Sequence, residues 1–231
     1  MTVLRTVTPD PGPFRRIEPG SHGPGPYGTV LWTVPPDPGF EVPLLGRHQA
    51  RNAALAAVAA AVAPWRGAPV TTGHIRAGLA RTTIRARLET IARRPLVIVD
   101  GAHNPAGAAA LAASLEELGV RGMPLVFGAM RGKRVTAVLR TLARLDPRPV
   151  FTAVDDPKAI PPGELLVTWR RIGAGGDAAT AHAAGRVTPD PGEALRLAAE
   201  LRSAGQPVVV AGSLYLVGAV RALLTGEREE T

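Results

Sequence analysis

The fold of this chain is decided by the stretch LVIVDGAHNP, residues 96–105. The apolar run from Leu96 to Val99 is typical of a buried strand, and the alanine-rich pattern from Ala106 to Leu118 predicts a helix. Asp100 to Pro105 forms a polar turn between them. In such a turn an acid can hold a ribose hydroxyl, while the imidazole of His103 and the free N–H groups of the new helix can face phosphate oxygens. The stretch therefore predicts a nucleotide-handling loop.

A purely structural interpretation of the same turn is also open. Asp100 and Asn104 are good helix caps, and Pro105 suits the first helical position because that residue needs no N–H partner. Capping accounts for the start of the helix but leaves His103 without a role.

Beyond residue 85, short apolar segments alternate with helical ones. This alternation is typical of the α/β class, and strands that are apolar throughout indicate a mostly parallel, doubly wound sheet with helices on both faces. The predicted strands are residues 96–99, 124–127, 150–153, 165–169 and 207–211, and the predicted helices are residues 106–118, 134–144, 178–184, 193–203 and 215–224.

The first part of the chain has a different composition. Residues 1–41 are rich in proline and glycine, with strand-like pieces such as 28–34 between turns, which is typical of a frayed sheet edge or an incomplete domain. Helices are predicted over 49–62 and 72–80, with Thr71 or Thr72 as the cap of the second. We therefore predict two parts, residues 1–84 and 85–231.

Composition limits the classes of function. The chain has 231 residues, 45% of them hydrophobic, and no cysteine, so it can bury a core but offers no disulfide, thiolate metal site or thiol catalysis. We expect a cytoplasmic protein, because the N-terminus lacks a signal-peptide core and the apolar run 53–64 is too short to span a bilayer. The net charge of +8 comes from scattered arginines, and only 4% of residues are aromatic. Neither a nucleic acid nor a membrane is expected as a partner.

Two glycine-containing phrases approach phosphate-binding patterns without satisfying them. The phrase Gly128–Lys133 follows a strand, but a P-loop requires glycine where Phe127 stands and serine or threonine where Arg134 stands. The phrase Gly173–Ala178 fits a looser dinucleotide pattern, but a flexible loop is the better interpretation. The histidines outside the two motif phrases, His22, His74 and His182, have no ligand spacing, so no metal site is predicted.

Four phrases occur in the order found in one family: Leu45–Gln49 with Asn52 behind it, Arg87–Glu89, Asp100–Pro105, and Gly212–Gly218. Together they resemble the folylpolyglutamate synthase/dihydrofolate synthase branch of the Mur ligase superfamily. The resemblance extends over residues 44–224. It implies that residues 85–231 form a Rossmann-like Mur ligase C-terminal domain, and that residues 1–84 are a remnant of the central ATPase domain.

The resemblance also implies an activity, in folate biosynthesis and one-carbon metabolism. Members of the family are ATP-dependent amide ligases that activate a carboxylate as an acyl phosphate, which the amino group of glutamate attacks. Carried over by position, the nucleotide-binding residues are Asn52 for the adenine, Arg87 for the phosphates or ribose, Asp100 for the ribose and His103 for the phosphate side, while Ser213 and Tyr215 lie towards the glutamate. His103 is the single candidate for a catalytic role.

Ordinary structural roles compete with these assignments. Asn52 stands on an alanine-rich helix and suits an exposed surface position. Arg87 lies among other arginines, which favours solvation about as strongly as ligand binding. Ser213 and Tyr215 also suit a helix cap and a packing aromatic residue.

The sequence departs from the family pattern in several places. The P-loop with its lysine, the magnesium ligands and the folate pocket have no counterpart, so the chain corresponds to the C-terminal half of such an enzyme. Ala86 stands where the family has glycine, Gly132 where it has an acid, and Lys158 where it has an arginine. A lysine cannot make the bidentate contact that an arginine makes with a carboxylate or phosphate.

Two hypotheses follow. In the first, the chain is a ligase that uses ATP, Mg²⁺, glutamate and a folate-type acid, is inactive alone, and works with a separate N-terminal P-loop half. In the second, it is a non-catalytic nucleotide-binding or regulatory module derived from a Mur ligase. The first predicts exposed apolar surface around Leu44, Leu45 and Val58. The pocket that selects dihydropteroate, folate or a polyglutamate as acceptor has no counterpart in this sequence.

Overall fold

The structure is a computed structural model that describes residues 4–6, 15–18, 31–33, 40–62, 70–173 and 185–226. The chain divides into two compact units, Met1–Arg85 and Ala86–Thr231, and each is described by itself. None of the helices in the described ranges is long and apolar enough to cross a membrane.

The first unit combines a small antiparallel sheet with two helices. The second helix begins after Thr71, whose hydroxyl accepts the His74 N–H at 3.2 Å, while the His74 ring accepts the Thr71 N–H. This capping box gives His74 a structural role. The elements are β1 (Leu4–Thr6), β2 (Arg15–Glu18), β3 (Leu31–Thr33), α1 (Arg47–Val62) and α2 (Thr72–Ala80).

Within residues 40–61 and 70–85, for which burial is described, this unit has a hydrophobic core cluster. Its buried residues are Val42, Leu44, Ala53, Ala57 and Leu79. The prediction of exposed apolar surface around Leu44 and Leu45 is wrong, because both side chains are buried. Val58 on α1 is 61% exposed, as predicted.

The second unit is a six-stranded sheet in the order β4-β5-β9-β6-β7-β8. Strand β4 runs antiparallel to β5, and every other neighbouring pair is parallel. The elements are β4 (Glu89–Arg93), β5 (Leu96–Asp100), α3 (Pro105–Glu117), β6 (Pro124–Phe127), α4 (Val135–Ala143), β7 (Arg148–Phe151), α5 (Pro162–Gly173), β8 (Arg186–Val187), α6 (Pro191–Leu201), β9 (Val208–Ala211) and α7 (Leu214–Thr225).

Helices cover both faces of this sheet, which confirms the predicted fold class. Val97 and Val99 of β5, and Val208 and Val210 of β9, pack with residues of α6 and α7. Since side chains alternate along a strand, the residues between them point to the other face. Helices α3, α4 and α5 pack side by side in chain order. The buried strands thus read as continuous apolar runs.

Residues 165–169, predicted as a strand, lie in helix α5 instead. Leu165 and Trp169 are buried while Val167 is 47% exposed, which is the spacing of a helix face rather than a strand. Pro162 and Glu164 in the first turn favour the helix start. The apolar run is too short to distinguish the periodicity of a helix from that of a strand.

The edge strands were not predicted. Strand β4 mixes polar and apolar residues and carries an irregularity between Thr90 and Ala92, and β8 has only two residues, both exposed. The strand predicted over 150–153 lies over 148–151. The predicted helix 178–184, and the predicted flexible loop except Gly173, lie outside the described residues.

Candidate functional site

Three neighbouring strands of the sheet end at the same edge, and a glycine follows each. Gly101 follows β5, Gly212 follows β9, and Gly128 follows β6. The chain leaves β9 into α7, which packs against β4, β5 and β9, whereas β5 and β6 lead into α3 and α4, which pack on each other. Strand β9 therefore lies at a topological switch point, where open α/β sheets bind ligands.

Backbone atoms crowd two of these glycines: a Cβ at Gly128 would lie 2.8 Å from the Thr152 carbonyl oxygen, and Gly212 is tighter still. A Cβ at Gly212 would lie 2.4 Å from the carbonyl oxygen of Gly128 and 2.6 Å from the ring of Phe127, and the Gly212 φ is 107°. A Cβ at Gly101 would instead meet two side-chain ends, Leu214 Cδ2 at 2.3 Å and Arg87 Nη1 at 2.8 Å. The Arg87 guanidinium and Leu214 therefore lie directly over Gly101.

The carboxylate of Asp100 organises the loop after β5. Its Oδ1 accepts the Ala102 N–H and its Oδ2 accepts the Leu88 N–H, each at 2.9 Å. The side chain is 4% exposed. Burial raises the pKa of the Asp100 carboxyl above its usual value, and the Leu88 N–H, the charge of Arg87 and the Ala102 N–H offset part of that rise.

The turn before β4 brings Arg87 to this loop. Ala86 and Leu88, on either side of it, have φ values of 58° and 47°, in the left-handed region that non-glycine residues avoid. The Ala86 carbonyl accepts the Gly101 N–H at 2.8 Å and Arg87 Nη1 at 3.1 Å. Arg87, Asp100 and Gly101 thus form one cluster, and a shared role of Arg87 and Asp100 in nucleotide binding stays a prediction.

His103 and Asn104 complete the loop. The His103 Nδ1 lies 2.8 Å from the Gly101 carbonyl oxygen, and because a carbonyl only accepts, Nδ1 carries the proton. Asn104 caps α3 through its Oδ1, which accepts the Gly107 N–H at 2.8 Å, and Pro105 begins the helix as predicted.

The two residues assigned to the glutamate side differ in exposure. Ser213 is buried and caps α7, its hydroxyl accepting the Tyr215 N–H at 3.2 Å. Tyr215 is 64% exposed, so it is not a core aromatic residue. Leu214, which no sequence argument singled out, packs over Gly101.

Asn52 belongs to the first unit. It is exposed on α1, and its Nδ2 donates to Oε1 of the buried Gln49 at 3.2 Å. This bond links Asn52 to the Leu45–Gln49 phrase, and the assignment of Asn52 to the adenine stays a prediction.

The loop after β6, which contains the phrase Gly128–Lys133, is tied down by backbone bonds. The Arg131 N–H donates to the Lys158 carbonyl at 2.7 Å, and the Ile160 N–H donates to the Ala129 carbonyl at 2.8 Å. These bonds join it to the loop after β7. Among the described residues, no three histidine or acidic side chains come together as a metal site.

Sequence reasoning did not assign a role to Glu89. Its Oε2 accepts the Ala86 N–H at 2.9 Å, and its Oε1 pairs with Arg221 of α7. Glu89 does stand in the Arg87–Glu89 phrase, and its position two residues after Arg87 is the signal that was available.

The fold and this edge define a class of protein. Residues 86–214 match the model of the Mur ligase glutamate ligase domain, and the chain belongs to that family. The match covers the loop after β5, the turn before β4 and the strands between.

Within the family, the chain is similar to folylpolyglutamate synthases. It is 36% identical to the Lacticaseibacillus casei folylpolyglutamate synthase over 190 residues, which are 81% of this chain and 41% of that protein. The Mycobacterium tuberculosis folylpolyglutamate synthase, solved with ADP and AMPPCP, superposes with a TM-score of 0.71 at 27% identity, covering 95% of this chain and 49% of that one. The Thermotoga maritima enzyme superposes with a TM-score of 0.64 at 30% identity, covering 87% and 45%. The chain thus spans less than half the length of these relatives.

Proposed function

We propose that this chain contributes one side of the nucleotide site of an ATP-dependent carboxylate–amine ligase of the folylpolyglutamate synthase type. The observation that carries the proposal is the position of the Arg87 guanidinium over Gly101, inside the loop formed by Asp100 and His103. The M. tuberculosis relative was solved with ADP. The second unit would be the C-terminal domain of the ligase, and the first unit part of its central ATPase domain, in the cytoplasm.

Each group at the edge suits an anionic, hydroxyl-bearing ligand. The Arg87 guanidinium can donate two parallel hydrogen bonds to phosphate oxygens, and we propose that His103 lies on the phosphate side. Asp100 already accepts two backbone N–H groups, so any ribose contact would add to a carboxylate that first holds the loop.

The chemical step needs more than this edge. Acyl phosphate formation requires neutralisation of phosphate charge by a lysine and metal ions, and we propose that a P-loop module binds Mg²⁺ and supplies that lysine. The ligase would join glutamate to a folate-type acid, with Ser213 and Tyr215 on the glutamate side. We propose that this chain alone does not form the amide bond.

Calorimetric titration with ADP, with and without Mg²⁺, tests the nucleotide site. We expect the unmodified chain to bind, and the Arg87→Ala variant to bind about tenfold more weakly because charge-assisted hydrogen bonds are lost. The Arg140→Ala variant is the matched control, since Arg140 is exposed on α4. Absence of ADP binding by the unmodified chain, or equal binding by the Arg87→Ala variant, would contradict the proposal.

A second variant separates position from charge. Gly101→Ala keeps Arg87 but places a methyl group where Arg87 Nη1 and Leu214 Cδ2 lie. Since both atoms end flexible side chains, we expect nearly unchanged stability but an ADP affinity as weak as that of Arg87→Ala. Unchanged affinity would show that the observed guanidinium position does not matter for binding.

A further inference from the structure

The turn that carries Arg87 is held in an unfavourable backbone conformation. Ala86 and Leu88 both have positive φ and are buried, and neither residue adopts this region without steric cost. Such conformations persist only where the surroundings over-determine them, and they concentrate at functional sites.

Two carboxylates supply that constraint from opposite sides. Asp100 Oδ2 accepts the Leu88 N–H, and Glu89 Oε2 accepts the Ala86 N–H, each at 2.9 Å. The Ala86 carbonyl in turn accepts the Gly101 N–H. Both residues that flank Arg87 are therefore fixed through their backbone groups, and the guanidinium is presented on a rigid turn.

Glu89 also connects this turn to helix α7. Its second oxygen, Oε1, pairs with Arg221, and the Glu89 and Arg221 side chains are only 22% and 15% exposed. An ion pair shielded to this degree is screened less by solvent than a surface pair. The same helix begins at Leu214, which shares the space over Gly101 with Arg87.

We propose that Glu89 is a positioning residue for Arg87, holding with Arg221 the left-handed turn that places the Arg87 guanidinium over Gly101. This inference rests on the proposed function, since it is the nucleotide phosphates that Arg87 would meet. Glu89 acts through the backbone of Ala86 and does not itself touch the ligand.

A double-mutant cycle between Glu89 and Arg87 tests the inference. We expect Glu89→Ala to weaken ADP binding about tenfold when Arg87 is present, and less than about twofold in the Arg87→Ala background. Glu89→Gln keeps an acceptor for the Ala86 N–H but loses the charge for Arg221, so its loss should be intermediate. Glu116→Gln is the control, because Glu116 pairs with Arg121 on an exposed surface. Equal losses in both backgrounds would overturn the proposal.

Two further readouts separate positioning from general stability. Ala86→Gly adopts the left-handed conformation without steric cost, so we expect it to recover part of the ADP affinity lost in Glu89→Gln. Arg221→Met should reproduce the loss seen in Glu89→Gln. Lack of recovery together with normal binding by Arg221→Met would count against the proposal.

Amide hydrogen exchange keeps the inference distinct from the proposed function. If the unmodified chain does not bind ADP, the proposed function fails, but the turn can still be measured. We expect the Ala86 amide to exchange about tenfold faster in Glu89→Ala, with the amide of Val150 in β7 unchanged. Unchanged Ala86 exchange would overturn the inference whatever the outcome of the ADP titration.

Discussion

The loops at the two ends of the strands in the six-stranded sheet use different residue types where φ is positive. We call the end where the parallel strands begin the amino edge and the end where they finish the carboxyl edge. At the amino edge, Arg148 and Gln206 tie the incoming loops together, with Arg148 Nε donating to the Gly122 carbonyl at 2.9 Å. The positive-φ residues there are glycines such as Gly122, together with Asp146, which are residue types that tolerate this region. At the carboxyl edge, Ala86 and Leu88 adopt it.

Backbone strain in this sheet is therefore greater at the carboxyl edge. At the amino edge, polar side chains join turns whose positive-φ residues tolerate that conformation. We therefore assign this edge a role in stability. At the carboxyl edge, the carboxylates of Asp100 and Glu89 accept N–H groups of a turn whose residues adopt an unfavourable φ. We propose that this constraint fixes the position of Arg87. Strained backbone conformations concentrate at functional sites, and this turn lies at the carboxyl ends of the parallel strands, where open α/β sheets bind ligands.

The largest expected effect comes from comparing one glycine at each edge. Gly212→Ala would drive a methyl group into the Gly128 carbonyl and the Phe127 ring at a φ of 107°, so we expect a loss of about 3–5 kcal/mol in unfolding free energy. Gly122→Ala meets nothing closer than 3.8 Å at a φ of 60°, and should cost about 1–2 kcal/mol. Urea denaturation measures both. Similar losses would erase the difference between the edges.

A smaller effect is expected when the buried carboxylate is changed. Asp100→Asn turns an NH₂ group towards either the Leu88 or the Ala102 N–H, which leaves a buried donor unpaired and should cost about 1–3 kcal/mol. Gln206→Ala at the amino edge removes a half-buried amide and should cost about 1 kcal/mol. A larger loss of unfolding free energy in Gln206→Ala than in Asp100→Asn would mean that the polar contacts at the amino edge matter more for stability.

The Asp100→Asn variant also carries a pH signature. Because burial raises the pKa of the folded Asp100 carboxyl above its usual 3.8, the folded chain binds this proton more tightly than the unfolded chain. Stability from Asp100 therefore increases as the pH falls through the raised pKa towards 3.8. We expect the unmodified chain to gain stability relative to Asp100→Asn between about pH 7 and about pH 4, measured by urea denaturation. If the unmodified chain instead lost stability relative to Asp100→Asn as the pH falls, the hydrogen bonds and Arg87 would affect the Asp100 pKa more than burial does.

The smallest expected effect is a gain. Ala86→Gly removes the steric cost of a φ of 58°, partly offset by greater freedom of the unfolded chain, and should stabilise by about 0.5–1 kcal/mol. Asp146→Gly relieves a similar φ of 51° at the amino edge, but aspartate tolerates this region better and the gain should be smaller. Thermal unfolding of the two variants side by side makes the comparison. Equal gains would indicate no special strain at the carboxyl edge.

Prediction from sequence succeeded where the signal was local. The start of α3 at Pro105 and the strand 124–127 are where the pattern placed them, because a proline and an unbroken apolar run act within a few residues. The run 165–169 was misassigned because so short a run fits both periods. Strand β4 was missed because an edge strand with mixed burial has no clean alternation.

The same distinction between local and distant signals applies to the candidate site. Asp100, His103 and Arg87 were singled out from their phrases, and Arg87 and Asp100 come together where β4 and β5 meet their loops. Their role in nucleotide binding stays a prediction. That Glu89 reaches back to Ala86 and across to Arg221 was beyond sequence reasoning, since an acid in a strand looks like an ordinary exposed residue. Leu214 was missed for a related reason, because its contact is with the space left by Gly101.

The α/β class, the turn after β5, the cap of α3 and the glycines after three strands could be read from the sequence, because each depends on residues close together in the chain. The position of β9 between β5 and β6 comes from the packing of the whole unit. The same is true of the ion pair that Glu89 forms with Arg221, which is 132 residues away in the chain. Strand order and such contacts depend on which distant segments bury the most apolar surface together. That balance is a property of the whole packed unit and is carried by no single stretch of sequence.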